Sequence, residues 1–80
     1  MRRPVELPAK GFALLRFFIE QEGATLSRQE LLVKVLGYDA ETLTRTVDVH
    51  VAMLRQGLED DPRQPRHFVT VRDPGYKFVE

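Results

Sequence analysis

The sequence of 80 residues contains no cysteine and no tryptophan. Without cysteine it can form no disulfide, no thiolate zinc site and no cysteine nucleophile, and it suits a reducing compartment, so we expect it in the cytoplasm. It lacks a run of 18 apolar residues, and Arg2 and Arg3 are not followed by an apolar stretch of signal-peptide length. We therefore expect neither a membrane span nor a secretion signal.

An excess of either charge is also lacking, because 12 Lys and Arg residues balance 12 Asp and Glu residues. A nucleic-acid partner would have to be held by a local basic patch. The hydrophobic share of 42% and the charged share of 30% are typical of a soluble globular domain. A chain of this length forms one core, which excludes a multi-domain enzyme.

Motifs for catalysis and for metal binding are missing as well. His50 and His67 are the two histidines, and neither has another ligand at a metal-binding spacing. There is no glycine-rich phosphate loop and no serine in a nucleophile-elbow setting. We therefore expect no enzymatic activity, no metal or other cofactor and no small-molecule substrate.

Three amphipathic segments predict three helices. The first lies within 7–21, with its clearest pattern from Ala9 to Glu20, and we expect Gly23 to follow its end. The second, over 27–36, opens with a capping box formed by Ser27 and Glu30 and ends before Gly37. The third, over 44–58, is capped by Thr44 or a neighbour.

The C-terminal region predicts a β-hairpin over 67–79. Two β-prone runs, Phe68–Val71 and Tyr76–Val79, are joined through a turn in which Pro74-Gly75 suits a positive φ at Gly75. Three helices followed by a hairpin give a mostly α fold with a small β part, the order of a winged helix-turn-helix. The predicted core consists of Phe12, Leu15, Ile19, Leu31, Val35, Val47, Val51, Leu54, Leu58 and Phe78.

Particular residues carry a resemblance to a known family. The segments in question are Ser27-Arg28-Gln29-Glu30-Leu31-Leu32, Thr44-Arg45-Thr46-Val47-Asp48-Val49-His50-Val51, Leu54-Arg55, Asp61-Pro62, Thr70-Val71-Arg72 and Gly75-Tyr76-Lys77-Phe78. In order and spacing, over nearly the whole chain, they resemble the DNA-binding effector domain of OmpR/PhoB-type bacterial response regulators. The resemblance implies transcription regulation within a two-component phosphorelay.

The sequence also departs from that family. The small antiparallel sheet that the family places before the first helix is represented at most by Val5 to Leu7, and the receiver domain is absent. If that sheet is missing, we expect an apolar patch near Leu14 and Phe17 that promotes self-association. Residues that differ from the family's usual pattern are Pro8, Gly11, Leu36, Ala52, Met53, Gln56, Gly57 and the wing-turn pair Asp73-Pro74.

The resemblance implies a DNA-binding surface on the third helix and on the hairpin, or wing. The predicted DNA-binding residues are Arg45, Thr46, Val49, His50, Met53, Arg55, Thr70, Arg72 and Lys77. Arg45, Arg55 and His50 would contact phosphates, which fix register without reading sequence, and the wing residues Thr70, Arg72 and Lys77 would lie along the minor groove. Alternatively, Arg45 or Arg55 pairs with Asp48 or Glu59, and His50 is a hydrogen-bonded structural imidazole. We expect Asp48 to pair with an arginine, and Tyr76 to pack on the helices.

The outer face of the third helix leaves two functions open. Val49, Ala52 and Met53 project away from the predicted core stripe. They suit thymine methyl groups in a major groove, which we favour, or a protein surface, or they are scattered surface residues with no direct role. We therefore expect sequence-specific binding of double-stranded DNA, with a winged-helix protein-interaction module as the alternative. Two copies on DNA, and RNA polymerase at the 37–43 loop, are further partners that the resemblance suggests.

Overall fold

The computed structural model describes residues 7–72 and 75–80. Its elements are α1 (Ala9–Glu20), β1 (Thr25–Ser27), α2 (an α-helical turn Arg28–Glu30 continued by a π-helical turn Leu31–Val35), α3 (Arg45–Leu58), β2 (Phe68–Val71) and β3 (Gly75–Phe78). The mostly α fold with a C-terminal wing is confirmed. Within the described residues, no helix is both long and apolar enough to cross a bilayer. The predicted extended piece Val5–Leu7 lies outside these residues except for Leu7.

The sheet has three strands, whereas the sequence predicts a two-stranded hairpin. β3 lies in the centre and pairs antiparallel with both β2 and β1. The registers are Phe68 opposite Phe78 in the hairpin and Leu26 opposite Tyr76 on the other side. Three residues are too few to show a β alternation, so β1 forms only because the folded hairpin offers it an edge.

The core lies between the three helices and one face of this sheet. The fully or almost fully buried apolar side chains are Leu14, Phe18, Leu26, Leu31, Leu32, Leu36, Val47, Val51, Leu54, Phe68 and Tyr76. The predicted stripe of α3 is confirmed, because Val47, Val51 and Leu54 are completely buried. Leu15, Val35, Leu58 and Phe78 pack against this core while partly exposed.

The predicted facing of α1 is wrong. Phe12 and Ile19 are 52% and 53% exposed, whereas Leu14 and Phe18 are completely buried. The helix carries apolar residues on two sides, so its periodicity does not reveal which side is covered. The Phe18 ring meets Phe68 of β2 edge to face, with centroids 5.6 Å apart, and this contact selects the buried side. The expected uncovered patch near Leu14 is therefore also corrected: the large exposed apolar residues of α1 are Phe12 and Ile19.

α2 begins as predicted but changes its helical form. Ser27 Oγ accepts a hydrogen bond from the Glu30 N–H at 3.0 Å, which is one half of the expected capping box. Further on, the Leu36 N–H donates to the Leu31 carbonyl five residues back at 2.9 Å, the spacing of a π-helix. The Lys10 ammonium donates to the Leu36 carbonyl at 2.7 Å and so covers the end of the helix.

Two glycines end helices as expected. Gly23 follows α1 with φ 85° and Gly37 follows α2 with φ 74°, conformations that favour glycine. At the start of α3, Thr44 precedes the helix in a helical conformation, and its side chain makes no capping hydrogen bond to any part of the chain described in the structure. The predicted Thr44 cap is therefore not formed there.

The predicted reason for Gly75 is wrong. Its φ is not in the left-handed range, and it is the first residue of β3 rather than a turn residue. A Cβ at this position would lie 2.1 Å from the Leu26 carbonyl oxygen and 3.0 Å from the Arg28 nitrogen. Glycine is needed because the backbone of β1 passes too closely for any side chain. Asp73 and Pro74, the other predicted turn residues, lie outside the described residues.

Candidate nucleic-acid interface

The outer face of α3 is open to solvent. Arg45, Val49, Ala52 and Gln56 are exposed and Met53 is half-buried. Val49, at 54% exposure, is a large apolar side chain facing water in the middle of this face. The structure thus places the predicted base-facing residues of α3 together on one surface, because the opposite side of the helix is fixed in the core.

Asp48 is paired, as the sequence predicts. Its Oδ1 accepts a hydrogen bond from Arg28 Nε at 2.8 Å and another from the Tyr76 hydroxyl. Burial alone would raise the pKa of Asp48, but the hydrogen bonds from Arg28 and Tyr76 and the charges of Arg28 and Arg45 hold the pKa below its usual value. The carboxylate therefore stays ionised and neutralised by neighbouring arginine.

Tyr76 links this pair to the wing. The residue is 4% exposed in the centre of the sheet, which confirms that its ring packs on the helices. Burial and the hydrogen bond to Asp48 raise the pKa of its hydroxyl, so it remains a donor at neutral pH. The guanidinium carbons of Arg28 and Arg55 lie 5.2 and 5.5 Å from its ring centre, within cation–π range.

Arg55 is held by the wing rather than by an acid. Its Nε and Nη2 donate to the Phe68 carbonyl at 3.0 and 2.6 Å, and Nη2 also donates to Thr70 Oγ1 at 2.8 Å. The alternative that Arg55 pairs with Asp48 or Glu59 is therefore not what the structure shows. Its guanidinium joins α3 to the edge of β2, beside the Tyr76 ring.

Glu59 is the buried charge that sequence reasoning missed. It is 7% exposed, and its two carboxylate oxygens accept the backbone N–H groups of Arg66, His67 and Phe68 at 3.0, 2.9 and 2.7 Å. Burial would raise the pKa of Glu59, but these three hydrogen bonds, with the nearby His67, lower it below its usual value. Its position in a charged, proline-containing loop gives no sign of this role.

One ring nitrogen of His50 makes a hydrogen bond within the domain, which is the predicted alternative to a phosphate contact. Its Nδ1 lies 2.8 Å from the Thr46 carbonyl one turn earlier, and its ring meets Tyr38 edge to face at 6.3 Å. The residue is half-buried on the flank of α3. Because the Thr46 carbonyl can only accept, Nδ1 is the donor of this contact, which orients the imidazole. A predicted phosphate contact by Nε2 requires a proton on that nitrogen as well.

The other predicted residues lie on the wing, with Thr70 on the sheet face that Tyr76 turns to the helices and Lys77, next to Tyr76 on β3, on the opposite face. Thr70 and Arg72 are exposed on and just after β2, and Lys77 is half-buried on β3 opposite Val69. The three side chains lie on the hairpin that Arg55 and Tyr76 attach to α3.

The 37–43 loop contains one large exposed apolar residue and a local polar turn. Leu43 is 70% exposed. Asp39 Oδ1 accepts the Glu41 N–H at 3.5 Å, and the Asp39 carbonyl accepts the Thr42 N–H at 2.9 Å. The Lys10 ammonium lies 4.5 Å from the centre of the Tyr38 ring, which fixes the start of the loop on α1.

Comparison with known proteins decides the family. The chain matches the family described as "Transcriptional regulatory protein, C terminal" over residues 2–78. The chain belongs to this family. As a member, it is 46% identical over 75 residues to the sensory transduction protein RegX3 of Mycolicibacterium smegmatis, a match that covers 94% of this chain and 33% of RegX3. It therefore spans about a third of that relative's length.

Solved structures agree with the family assignment. The Thermotoga maritima response regulator DrrB, an OmpR/PhoB homologue, matches with a TM-score of 0.85 at 33% identity, over 94% of this chain and 34% of DrrB. The DNA-binding domain of Klebsiella pneumoniae RstA, solved in complex with the RstA box, matches with a TM-score of 0.81 at 32% identity, over 94% of this chain and 74% of that one. The predicted resemblance to OmpR/PhoB-type effector domains is thus confirmed.

Proposed function

We propose that this domain binds double-stranded DNA as a transcriptional regulator of the response-regulator type, with α3 in the major groove and the wing on the minor groove or the backbone. The observation that carries the proposal is the open face of α3, bordered by Arg45 and joined to a wing that carries Arg72 and Lys77. The RstA domain of the same fold is solved on its DNA box, which supports this docking.

The electrostatics of the face favour a polyanion despite the zero net charge. Asp48, an acid of α3 beside the open face, is paired with Arg28 and hydrogen-bonded by Tyr76. Its repulsion of phosphate is therefore largely cancelled within the domain. Arg45, Arg72 and Lys77 supply positive charge that DNA phosphates can take up.

Each predicted site residue has a proposed role. The phosphate contacts are made by Arg45, Arg55, Arg72, Lys77 and His50. Arg55 uses the N–H groups that are not bonded to β2, and His50 donates from Nε2 when both of its ring nitrogens carry protons. The hydroxyls of Thr46 and Thr70 donate hydrogen bonds to DNA at the two edges of the surface. Val49 and Met53 pack on thymine methyl groups, which makes the base contact mainly apolar.

The test is a salt titration of duplex binding by fluorescence anisotropy, from about 50 to about 200 mM salt. Four to six phosphate contacts predict a log–log slope of about −4 to −5. Arg45→Ala should weaken all duplexes alike and flatten the slope by about one unit. Arg16→Ala, which removes the same charge from α1 outside the proposed surface, is the matched control and should change the slope little.

Base reading is tested separately at Met53. Met53→Arg adds a side chain able to make a bidentate guanine contact, worth about 1 to 3 kcal/mol at one position of each half-site. Selection of bound duplexes from a random pool should show the changed preference. The DNA proposal fails if the parent selects no duplex. If, in addition, the parent binds a partner protein with an affinity that does not change with salt, the face binds protein through Val49, Ala52 and Met53.

The role of the longer protein is proposed on the same basis. We infer that the domain acts in the cytoplasm at the output end of a two-component phosphorelay, as the family assignment suggests. Two copies would bind direct-repeat half-sites about one helical turn apart. The 37–43 loop, with Leu43 exposed, is the proposed contact for RNA polymerase. Random-pool selection reports the half-site spacing, and Leu43→Asp should reduce transcription in vitro without reducing DNA affinity.

A further inference from the structure

Two residues at the end of α3 hydrogen-bond to the backbone of Phe68 at the start of β2, one to its N–H and the other to its carbonyl. Glu59 accepts the Phe68 N–H at 2.7 Å, while Arg55 donates twice to the Phe68 carbonyl at 3.0 and 2.6 Å. Arg55 and Glu59 are four residues apart, and the Glu59 N–H donates to the Arg55 carbonyl at 3.0 Å. One turn of backbone therefore carries both the acceptor and the donor. We call these two residues the wing clamp.

The wing clamp lies along β2, at the edge of the sheet. Among the described residues β2 pairs with β3 alone, and the Val79 N–H donates to the His67 carbonyl at 2.9 Å. In an antiparallel ladder the next residue along, Phe68, then points its N–H and carbonyl away from β3. An edge strand leaves such groups unpaired, and here a carboxylate and a guanidinium take the place of a neighbouring strand.

We propose that Arg55 and Glu59 are positioning residues that fix the direction of the wing relative to α3, and so set the distance between the major-groove helix and Arg72. This inference rests on the proposed DNA-binding function. The central strand of the sheet has its own polar restraints, since Tyr76 donates to Asp48 of α3 and β1 pairs with β3. On β2, the Phe68 ring contacts Phe18 at 5.6 Å and Phe78 at 5.3 Å, and such apolar contacts have no directional donor or acceptor.

Small rotations at the wing clamp become large displacements at Arg72. Arg72 lies four residues beyond Phe68, about 13 Å along an extended strand. A rotation of about 10° at Phe68 would move it by about 2 Å, whereas a hydrogen bond tolerates only a few tenths of an ångström. The four bonds at Phe68 and Thr70 hold this rotation in place, so the span across the two grooves depends on them.

The direct test measures the wing without DNA. Because the sequence has no cysteine, spin labels can be placed at Gln56→Cys on α3 and Arg72→Cys after β2. Electron–electron distance measurements should give a narrow distribution in the labelled parent and a clearly broader one after Glu59→Gln. Glu22→Gln, an equal charge change at the exposed end of α1, should leave the distribution narrow. An unchanged width in Glu59→Gln overturns the proposal.

The functional test is a double-mutant cycle on duplex binding. Arg72→Ala should weaken binding about fivefold to tenfold in the parent and in Glu22→Gln, the size of one charge-assisted contact. In the Glu59→Gln background the same substitution should cost less than about twofold, because Arg72 is no longer held at the DNA. An equal loss in both backgrounds means that Glu59 contributes only stability, and the proposal fails.

Two further measurements distinguish failure of the wing-clamp proposal from misfolding of Glu59→Gln and from failure of the proposed DNA binding. If Glu59→Gln does not fold, as judged by circular dichroism, Arg55→Met replaces it, since it keeps an aliphatic stem beside Tyr76 and removes the donors to Phe68. A narrow distribution in that variant also overturns the proposal. If the parent binds no duplex, the proposed function fails, while the distance measurement still decides whether the wing clamp holds the wing.

Discussion

Replacing Phe18 or Phe12 by alanine tests the orientation of α1 with one substitution at two positions of one helix. Phe18 is completely buried and its ring meets Phe68 at 5.6 Å, whereas Phe12 is 52% exposed. Truncating a buried phenylalanine costs about 3 to 5 kcal/mol, a large part of the 5 to 15 kcal/mol that stabilises a typical domain. At Phe12 the loss should be about 1 kcal/mol or less, because half of the ring is already in water and alanine favours the helix by a few tenths of a kcal/mol.

The measurement is urea and thermal unfolding followed by circular dichroism. Each kcal/mol shifts the midpoint of a domain of this size by about 4 to 8 °C, so Phe18→Ala should lower it by at least about 12 °C, or leave the chain unfolded. Phe12→Ala should stay within about 8 °C of the parent, with an unchanged urea m-value. Equal losses, or a larger loss at Phe12, would show that Phe12 faces the core and that the described packing is wrong.

Other substitutions test the sheet, the buried charges and the exposed face of α1. Gly75→Ala should lower the free energy of unfolding by more than about 2 kcal/mol, because its Cβ would lie 2.1 Å from a backbone oxygen of β1. Gly23→Ala, where there is open space but φ is 85°, should lower it by about 1 kcal/mol. Equal losses in the two variants would contradict the close approach of β1 to Gly75. The lowered pKa values of Asp48 and Glu59 predict stability that is present above their unfolded pKa and lost as the pH falls through the folded pKa. Asp48→Asn should therefore flatten the acid limb of a midpoint-against-pH curve, and an unchanged limb would refute this. Finally, Ile19→Lys should reduce the concentration-dependent self-association of the domain, measured by sedimentation. A parent that stays monomeric at high micromolar concentration would contradict self-association through the exposed apolar residues of α1.

The helices and their ends follow from local chemistry, which is why the sequence alone predicts them. A one-sided stripe fixes the facing of α3, since only one surface of that helix can be covered. Ser27 before Glu30 begins α2 because the hydroxyl meets a backbone N–H three residues away. Gly23 and Gly37 end helices because their φ values of 85° and 74° suit glycine. Each of these features involves residues within one or two turns of each other.

Tertiary structure decided everything that depends on residues far apart in the sequence. α1 has two apolar sides, and only contact with Phe68 selects Phe18 over Phe12. β1 exists because β3 lies beside it, and Gly75 is required because that strand passes within a Cβ's reach. In the sequence, Glu59 has the features of an ordinary charged loop residue. Only the fold brings the N–H groups of residues 66–68 to its carboxylate. The sequence therefore determined the family, the helices and the candidate surface, whereas the attachment of the wing to α3 depends on hydrogen bonds and ring contacts that form only once the chain has folded.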